Sequence, residues 1–167
     1  MQRRGEQKGV LMTIYLFVLA LLIGVVAGLR VMTAPAAVSW AARLGALQLG
    51  GTWLAFLGNA WVPWIATLLA LGELVTDQLP KTPSRKVPVQ FAARVVSGAL
   101  CGAAIGTAGG SWSLGLVVGG IGAILGTLGG AEGRARMAAT FGNDRPAAFI
   151  EDAVAIGAGA GILALVS

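Results

Sequence analysis

The sequence contains no histidine, a single cysteine and few charged residues. The absence of histidine and the lone Cys101 exclude a histidine general base, a Cys/His zinc site and a disulfide framework. Charged residues make up only 11% of the 167 positions. A soluble domain usually carries about 25% charge. Together with a hydrophobic fraction of 56%, this composition excludes an ordinary soluble domain and is typical of a membrane protein.

The net charge of +5 raises the question of a partner, because both nucleic acids and membrane surfaces attract cations. An apolar chain has no polar surface large enough for a basic stripe, so we expect the lipid bilayer as partner and no nucleic acid. We also expect no cofactor. The 26 glycines lie in apolar runs and lack the strand, lysine and hydroxyl of a phosphate-binding loop.

Long apolar runs predict an all-α, polytopic membrane bundle with about five transmembrane helices. The runs are residues 9–29, 52–74, 95–131 and 147–167. The run 95–131 is long enough for two helices joined by a turn at 109–111. The first run could also belong to a signal peptide, but it is longer than the apolar part of one. Residues 34–49 are too short to span and predict a re-entrant or interfacial helix.

The charge pattern predicts how these helices are oriented. A linker at 78–88 with three prolines and three cations divides one domain, 1–167, into halves 1–77 and 89–167. With the N-terminus in the cytoplasm, five crossings put the C-terminus in the periplasm and ten of the 12 Lys and Arg residues inside. These ten are Arg3, Arg4, Lys8, Lys81, Arg85, Lys86, Arg94, Arg134, Arg136 and Arg145. We therefore predict a bacterial inner-membrane protein.

Glycines recur at helical spacing along the third and fourth predicted spans. They are Gly98, Gly102, Gly106 and Gly110, followed by Gly115, Gly119, Gly122, Gly126 and Gly130. Small residues at this spacing let helix backbones approach closely in lipid. The stripes serve packing either within one bundle or between copies of the chain. Because five helices enclose little space, we expect a homo-oligomer.

Acids and arginines within or beside the spans are the candidate functional residues. Glu73 and Asp77 share a helix face, while Glu151 and Asp152 lie in the last span. They are joined by two arginines beside apolar helices, Arg30 and Arg94. Such charges pair with one another or mark a solute path. We predict a transporter or channel in which these six residues bind a proton, cation or small solute. The alternative is a non-catalytic scaffold.

A third hypothesis is a lipid-phosphate hydrolase. Glu73 and Asp77 could hold a divalent metal, and Ser84 with Arg85 could bind a phosphate. Membrane pyrophosphatases of polyprenyl lipids use a loosely similar combination. An enzyme is the less favoured prediction, because the similarity is partial.

The combined motifs resemble a bacterial membrane family known as domain of unknown function 4126. They are the segment 28–35 leading to Ser39, the acidic-proline segment 73–80, the segment 83–85, Arg94 with its glycine-rich sequel, and Glu151-Asp152. The resemblance covers nearly the whole chain. It implies an integral membrane protein of bacterial type. It therefore indicates where the protein is located and does not indicate a mechanism.

The order of elements also suggests an internal repeat. The repeat pairs the first span with the fourth span. Arg30 then corresponds to two arginines, and the short helix corresponds to the segment 137–141. One copy begins inside and the other outside, which is typical of an inverted-topology repeat. The two acid pairs do not occupy corresponding positions in the two copies, so the repeat is a hypothesis.

Overall fold

A computed structural model of the protein describes residues 2–76, 87–141 and 144–166, which form six α-helices. The helices are α1 (Gln2–Leu29), α2 (Thr33–Arg43), α3 (Val62–Thr76), α4 (Pro88–Ala108), α5 (Trp112–Phe141) and α6 (Asp144–Val166). No β-strand occurs within these three ranges. The prediction of an all-α helical bundle is confirmed.

Four helices are long and apolar enough to cross a membrane. They contain the spans Gly9–Leu29, Pro88–Ala108, Trp112–Thr140 and Pro146–Val166. The predicted span 52–74 is different, because α3 has only 15 residues and a length of about 22 Å. A short 3₁₀ helix, Ala55–Gly58, and turns occupy the first part of that run, and α3 begins beside Pro63. The bundle therefore has four long spans and one shorter apolar helix.

α2 and α3 form a hairpin that starts and finishes at one end of the bundle. The carboxylate of Glu73, in the last turn of α3, accepts hydrogen bonds from the amides of Val31 and Met32, just before α2. α2 ends near the middle of the predicted short helix 34–49, where Gly45 has a φ of 82°. Because this pair returns to its starting end, it adds no net crossing.

The two ends of the bundle are chemically different. The end where α1 and α3 finish carries most of the buried charges, and we call it the charged end. At the other end, the rings of Trp53 and Trp112 meet at 5.8 Å, and the Tyr15 hydroxyl donates to the carbonyl of Leu165 at 3.0 Å. We call this the tryptophan end.

The start of α1 and the finish of α6 therefore lie at the same end, the tryptophan end. The prediction of a cytoplasmic N-terminus and a periplasmic C-terminus required an odd number of crossings, whereas this bundle has four long helices and a hairpin. The physical reason is the hairpin: the run 52–74 was counted as a full crossing, whereas α2 and α3 together leave the chain where it began. The sides of the membrane on which the termini lie stay a prediction.

Most glycines of the two stripes lie at the centre of the bundle, where α1, α4 and α5 meet. Gly110 is an exception: it follows the end of α4, has a φ of 82°, and a Cβ there would have nothing within 4 Å, so its predicted place in the stripe is wrong. A Cβ built on Gly102 would lie 2.7 Å from the Cα of Gly119, and one built on Gly106 would lie 2.6 Å from the Cα of Gly115. Gly28 of α1 comes equally close to α5 at the amide of Thr127, 2.6 Å away. The stripes are thus used within one chain. The homo-oligomer stays a prediction, without these stripes as its contact.

The proposed repeat lacks one of its elements as a separate helix. Residues 137–141, the expected counterpart of the short helix, are the last part of α5. The inverted repeat stays a hypothesis.

Candidate functional site

The site is built around the elbow between α1 and α2, at residues 30–32. Here the chain turns, so the amides that begin α2 need acceptors other than helix carbonyls. Glu73 provides them, with its Oε1 2.8 Å from the amide nitrogen of Val31 and its Oε2 2.9 Å from that of Met32. A carboxylate at the start of a helix is also stabilised by the helix dipole. Glu73 therefore ties the last turn of α3 to the start of α2.

Arg94 of α4 stabilises the other side of the elbow. Its Nη1 donates to the carbonyls of Gly28 and Leu29, at 2.8 and 2.7 Å, and these are the last carbonyls of α1. The Ser97 hydroxyl, one turn further along α4, donates to the carbonyl of Val31 at 2.7 Å. In a bilayer such groups have no water to bond with, so α4 replaces the solvent at this helix end.

Between residues that the structure describes, three ion pairs lie at the same end of the bundle. They join Arg30 to Asp152 through Nη2 and Oδ1, Arg94 Nη2 to Glu73 Oε1 at 3.8 Å, and Arg134 Nη1 to Glu151 Oε2 at 3.8 Å. All three arginines are on, or directly follow, the glycine-packed helices α1, α4 and α5. All three acids belong to α3 and α6. We call these six residues the charge layer.

The charge layer is largely buried. The exposed fraction is 0% for Arg30, 2% for Arg94, 5% for Glu151 and 8% for Asp152. Burying a single charge in an apolar bundle is costly, and pairing with an opposite charge offsets that cost. Each carboxylate is thus compensated by an arginine on another helix.

The charge layer lies within the membrane-spanning part of the bundle. Thr127 of α5 marks its level, because the Thr127 hydroxyl bonds to the carbonyl of Gly28. Along α5, the distance from Trp112 to Thr127 is about 22 Å. A hydrocarbon core is about 30 Å thick. With Trp112 at one interface, the level of Thr127 and the elbow lies inside the core, in its third nearest the charged end. Arg134 is about 33 Å from Trp112 along α5, so its pair with Glu151 lies at the boundary of the core.

The structure brings together five of the six predicted binding residues: Arg30, Glu73, Arg94, Glu151 and Asp152. The sixth, Asp77, lies outside the described residues, and so do Ser84 and Arg85. The hydrolase hypothesis therefore stays a prediction. Among the described residues, no three Asp, Glu or Cys side chains are placed to hold a metal ion.

Sequence reasoning left one member of the layer, Arg134, out of the predicted site. The predicted span ended at residue 131, so Arg134 looked like part of a loop. In the structure α5 continues to Phe141, and Arg134 points to Glu151 from within the helix. The only sequence signal would have been the helical propensity of residues 132–141, which contain neither proline nor a turn motif.

A second polar feature lies away from these charges. A cavity of about 330 Å³ lies in the loop between α2 and α3, and its lining includes Gln48 and Asn59. None of the six charged residues lines this cavity.

Comparison with known proteins places the chain in a family. The chain belongs to the family described as domain of unknown function 4126, whose model matches residues 17–166. The resemblance predicted from the sequence is thus confirmed. No curated protein and no solved structure matches the chain.

Proposed function

We propose that the protein is a membrane carrier or channel for a proton, cation or small solute, and that Glu151 and Asp152 of α6 bind it. The observation that supports this proposal is that both acids are buried, 5% and 8% exposed, beside arginines of neighbouring helices. Ionisable side chains at such a depth are expensive, and in membrane proteins they commonly mark a path for ions or solutes.

The α6 pairs differ from the pair of Glu73 and Arg94. Glu73 and Arg94 complete the hydrogen bonding of two helix ends, so the fold itself needs them. Glu151 and Asp152 lie two turns inside α6, where helix ends need no partner. A buried ion pair is often no more stabilising than apolar side chains of the same size. Folding alone therefore does not account for the two α6 pairs, and this favours a functional role.

Charge balance indicates how these acids would work. When a carboxylate leaves its arginine, it needs another positive partner, and a proton or monovalent cation supplies the same charge. The proton or cation compensates the acid, while the arginine keeps its positive charge and needs another acceptor. Arg30 has one in the carbonyl of Glu73, 3.4 Å from its Nη1. An acid that alternates between arginine and a proton or cation can carry that ion through the layer.

The test uses purified protein in liposomes that contain a pH-sensitive dye, with an imposed Na⁺ or K⁺ gradient. We expect Asp152→Asn combined with Glu151→Gln to reduce the flux per folded protein at least about tenfold. Because Arg30 and Arg134 lose their charged partners, the folded fraction is isolated by size-exclusion chromatography before reconstitution. The matched control is Glu132→Gln, because Glu132 forms an exposed pair with Arg136 on the surface of α5. Undiminished flux in the double variant would disprove the assignment of the α6 acids.

A non-catalytic scaffold is the second candidate, and the two amide bonds of Glu73 favour it. In a scaffold, Glu73, Glu151 and Asp152 would only hold helices together through their ion pairs with arginines. The wild-type protein would then give no flux in the liposome assay. Both Glu73→Gln and the α6 double variant would lower the unfolding temperature.

We assign the protein to the bacterial inner membrane, with the charged end in the cytoplasm. Arg134, Arg136 and Arg145 are on helix segments at that end, and Lys81, Arg85 and Lys86 occur in the sequence that joins α3 to α4 there. The first turns of α1, at the opposite end, carry three cations: Arg3, Arg4 and Lys8. Arg43, where α2 finishes away from the elbow, adds a fourth cation at that end, and six cations against four favour a cytoplasmic charged end.

A further inference from the structure

We propose that α6 is the moving element of this protein, and that its displacement opens the pairs of Arg30 with Asp152 and of Arg134 with Glu151. This inference rests on the proposed function and adds the conformational change that the ion exchange requires. In this mechanism α1, α4 and α5 stay fixed, and α6 shifts along α2 and away from the arginines.

The fixed part is held by contact between helix backbones. A Cβ built on Gly98 would lie 2.6 Å from the Cβ of Ala123, and one built on Gly126 would lie 2.9 Å from the Cα of Val25. These distances are shorter than real Cβ contacts, so only glycine fits. Helices that interlock in this way cannot slide without separating their backbones.

α6 packs in a different way. Gly157 and Gly161 are exposed on its outer face, where a Cβ would have nothing within 4 Å, so the contact with α2 is made at Gly159. Gly159 faces α2, and its Cβ would lie 3.5 Å from Thr33 Cγ2 and 3.7 Å from Ala37 Cβ. These are ordinary van der Waals distances to side chains. Smooth side-chain contacts of this kind allow one helix to shear past another.

The remaining attachments of α6 are made by side chains: Ala147, Ala155 and Ile162 are buried against the bundle, and polar groups hold both ends of the helix. Its N-terminal half is held by Arg30 and Arg134, and its last turn by the hydroxyl of Tyr15, 3.0 Å from the carbonyl of Leu165. Arginine side chains are long and can release a carboxylate without a change in the scaffold. A shift of α6 therefore frees Asp152 and Glu151 while the glycine contacts remain.

The test uses two engineered disulfides in a Cys101→Ala background, which removes the single native cysteine. Ala37→Cys with Gly159→Cys tethers α6 to α2, where the Cβ atoms are 3.7 Å apart. Ala99→Cys with Gly120→Cys tethers α4 to α5 at 3.8 Å and is the matched control. Both separations suit a disulfide, in which Cβ atoms are about 3.8 Å apart.

We expect oxidation of the Ala37–Gly159 tether to reduce the flux at least about tenfold and reduction to restore it. The control tether should leave the flux unchanged. Equal flux with the α6 tether closed and open would overturn the proposal, as would an equal loss with the control tether closed. A different result would disprove the proposed function itself: no flux from the Cys101→Ala protein under reducing conditions.

Hydrogen exchange provides a second readout that does not depend on transport. We expect amides of α6 to exchange faster than those of α4 and α5, and the α6 tether to slow them. If α6 amides exchange no faster than those of α4, the helix does not move independently and the proposal is wrong.

Discussion

Arg94 shows how a single side chain can replace water at a helix end. One of its nitrogens bonds to the last two carbonyls of α1, while the other lies 3.8 Å from Glu73. Only 2% of the surface of Arg94 is exposed, so water cannot replace these hydrogen bonds. Loss of Arg94 would leave two carbonyls unsatisfied and the Glu73 carboxylate without its positive partner in an apolar layer.

We therefore expect Arg94→Gln to destabilise the protein strongly. Removing one partner of a buried pair costs about 3–5 kcal/mol, and this would lower the unfolding temperature measured in detergent. Arg136→Gln is the control, since the Arg136 and Glu132 side chains are 78% and 60% exposed. An exposed pair of this kind contributes about 0.5 kcal/mol or less. Equal unfolding temperatures for the two variants would contradict the role of Arg94.

The members of the charge layer could be predicted from the sequence, but their partners could not. Arg30, Arg94 and Asp152 stand out because a charge inside an apolar run is visible locally. The prediction that Glu73 and Asp77 share one helix face followed from helical spacing, and it stays a prediction because Asp77 lies outside the described residues. In the structure the Glu73 carboxylate turns to amides 41 and 42 residues away, and only the packing of α3 against the elbow determines that contact.

At the scale of helices, glycine has two opposite roles in this bundle. Gly102 faces the backbone of α5, where a Cβ would lie 2.7 Å from the Cα of Gly119. Gly157 of α6 faces open space. The same residue type thus permits close packing in one helix and has no neighbour in another.

We expect Gly102→Ala to lower the stability by about 1–3 kcal/mol, because the added methyl group forces α4 and α5 apart. Gly157→Ala should leave the stability unchanged or raise it by up to about 1 kcal/mol. Thermal unfolding and size-exclusion chromatography of both variants in detergent would measure this. A shift of Gly102→Ala to a smaller species with an unchanged unfolding temperature would show instead that the stripe joins two chains.

Hydropathy predicted the long helices well, and it was wrong about the run 52–74 for a definable reason. The turns before α3 consist mainly of apolar residues, including the 3₁₀ helix Ala55–Gly58. A hydropathy window does not distinguish an apolar turn from an apolar helix. Leu54 and Leu57 are buried in the core, which explains why this non-helical segment is apolar.

At the scale of the whole molecule, the ends of α5 test the orientation. Ser113 and Ala135 are both exposed and lie 22 positions apart on this one helix, so they report on opposite ends of the bundle. In the Cys101→Ala background, we expect Ser113→Cys to react with a membrane-impermeant maleimide added outside intact cells. Ala135→Cys should react only after the cells are opened. The reverse pattern would show that the charged end faces outwards.

The α2–α3 hairpin has a consequence for how the protein enters the membrane. Its connecting loop, residues 44–61, contains no acidic or basic side chain. A loop of this kind can move into the bilayer from the charged end without carrying an ionised group, apart from Arg43 at the end of α2. Insertion of the α2–α3 hairpin therefore carries one charged side chain near its tip, that of Arg43, into the bilayer.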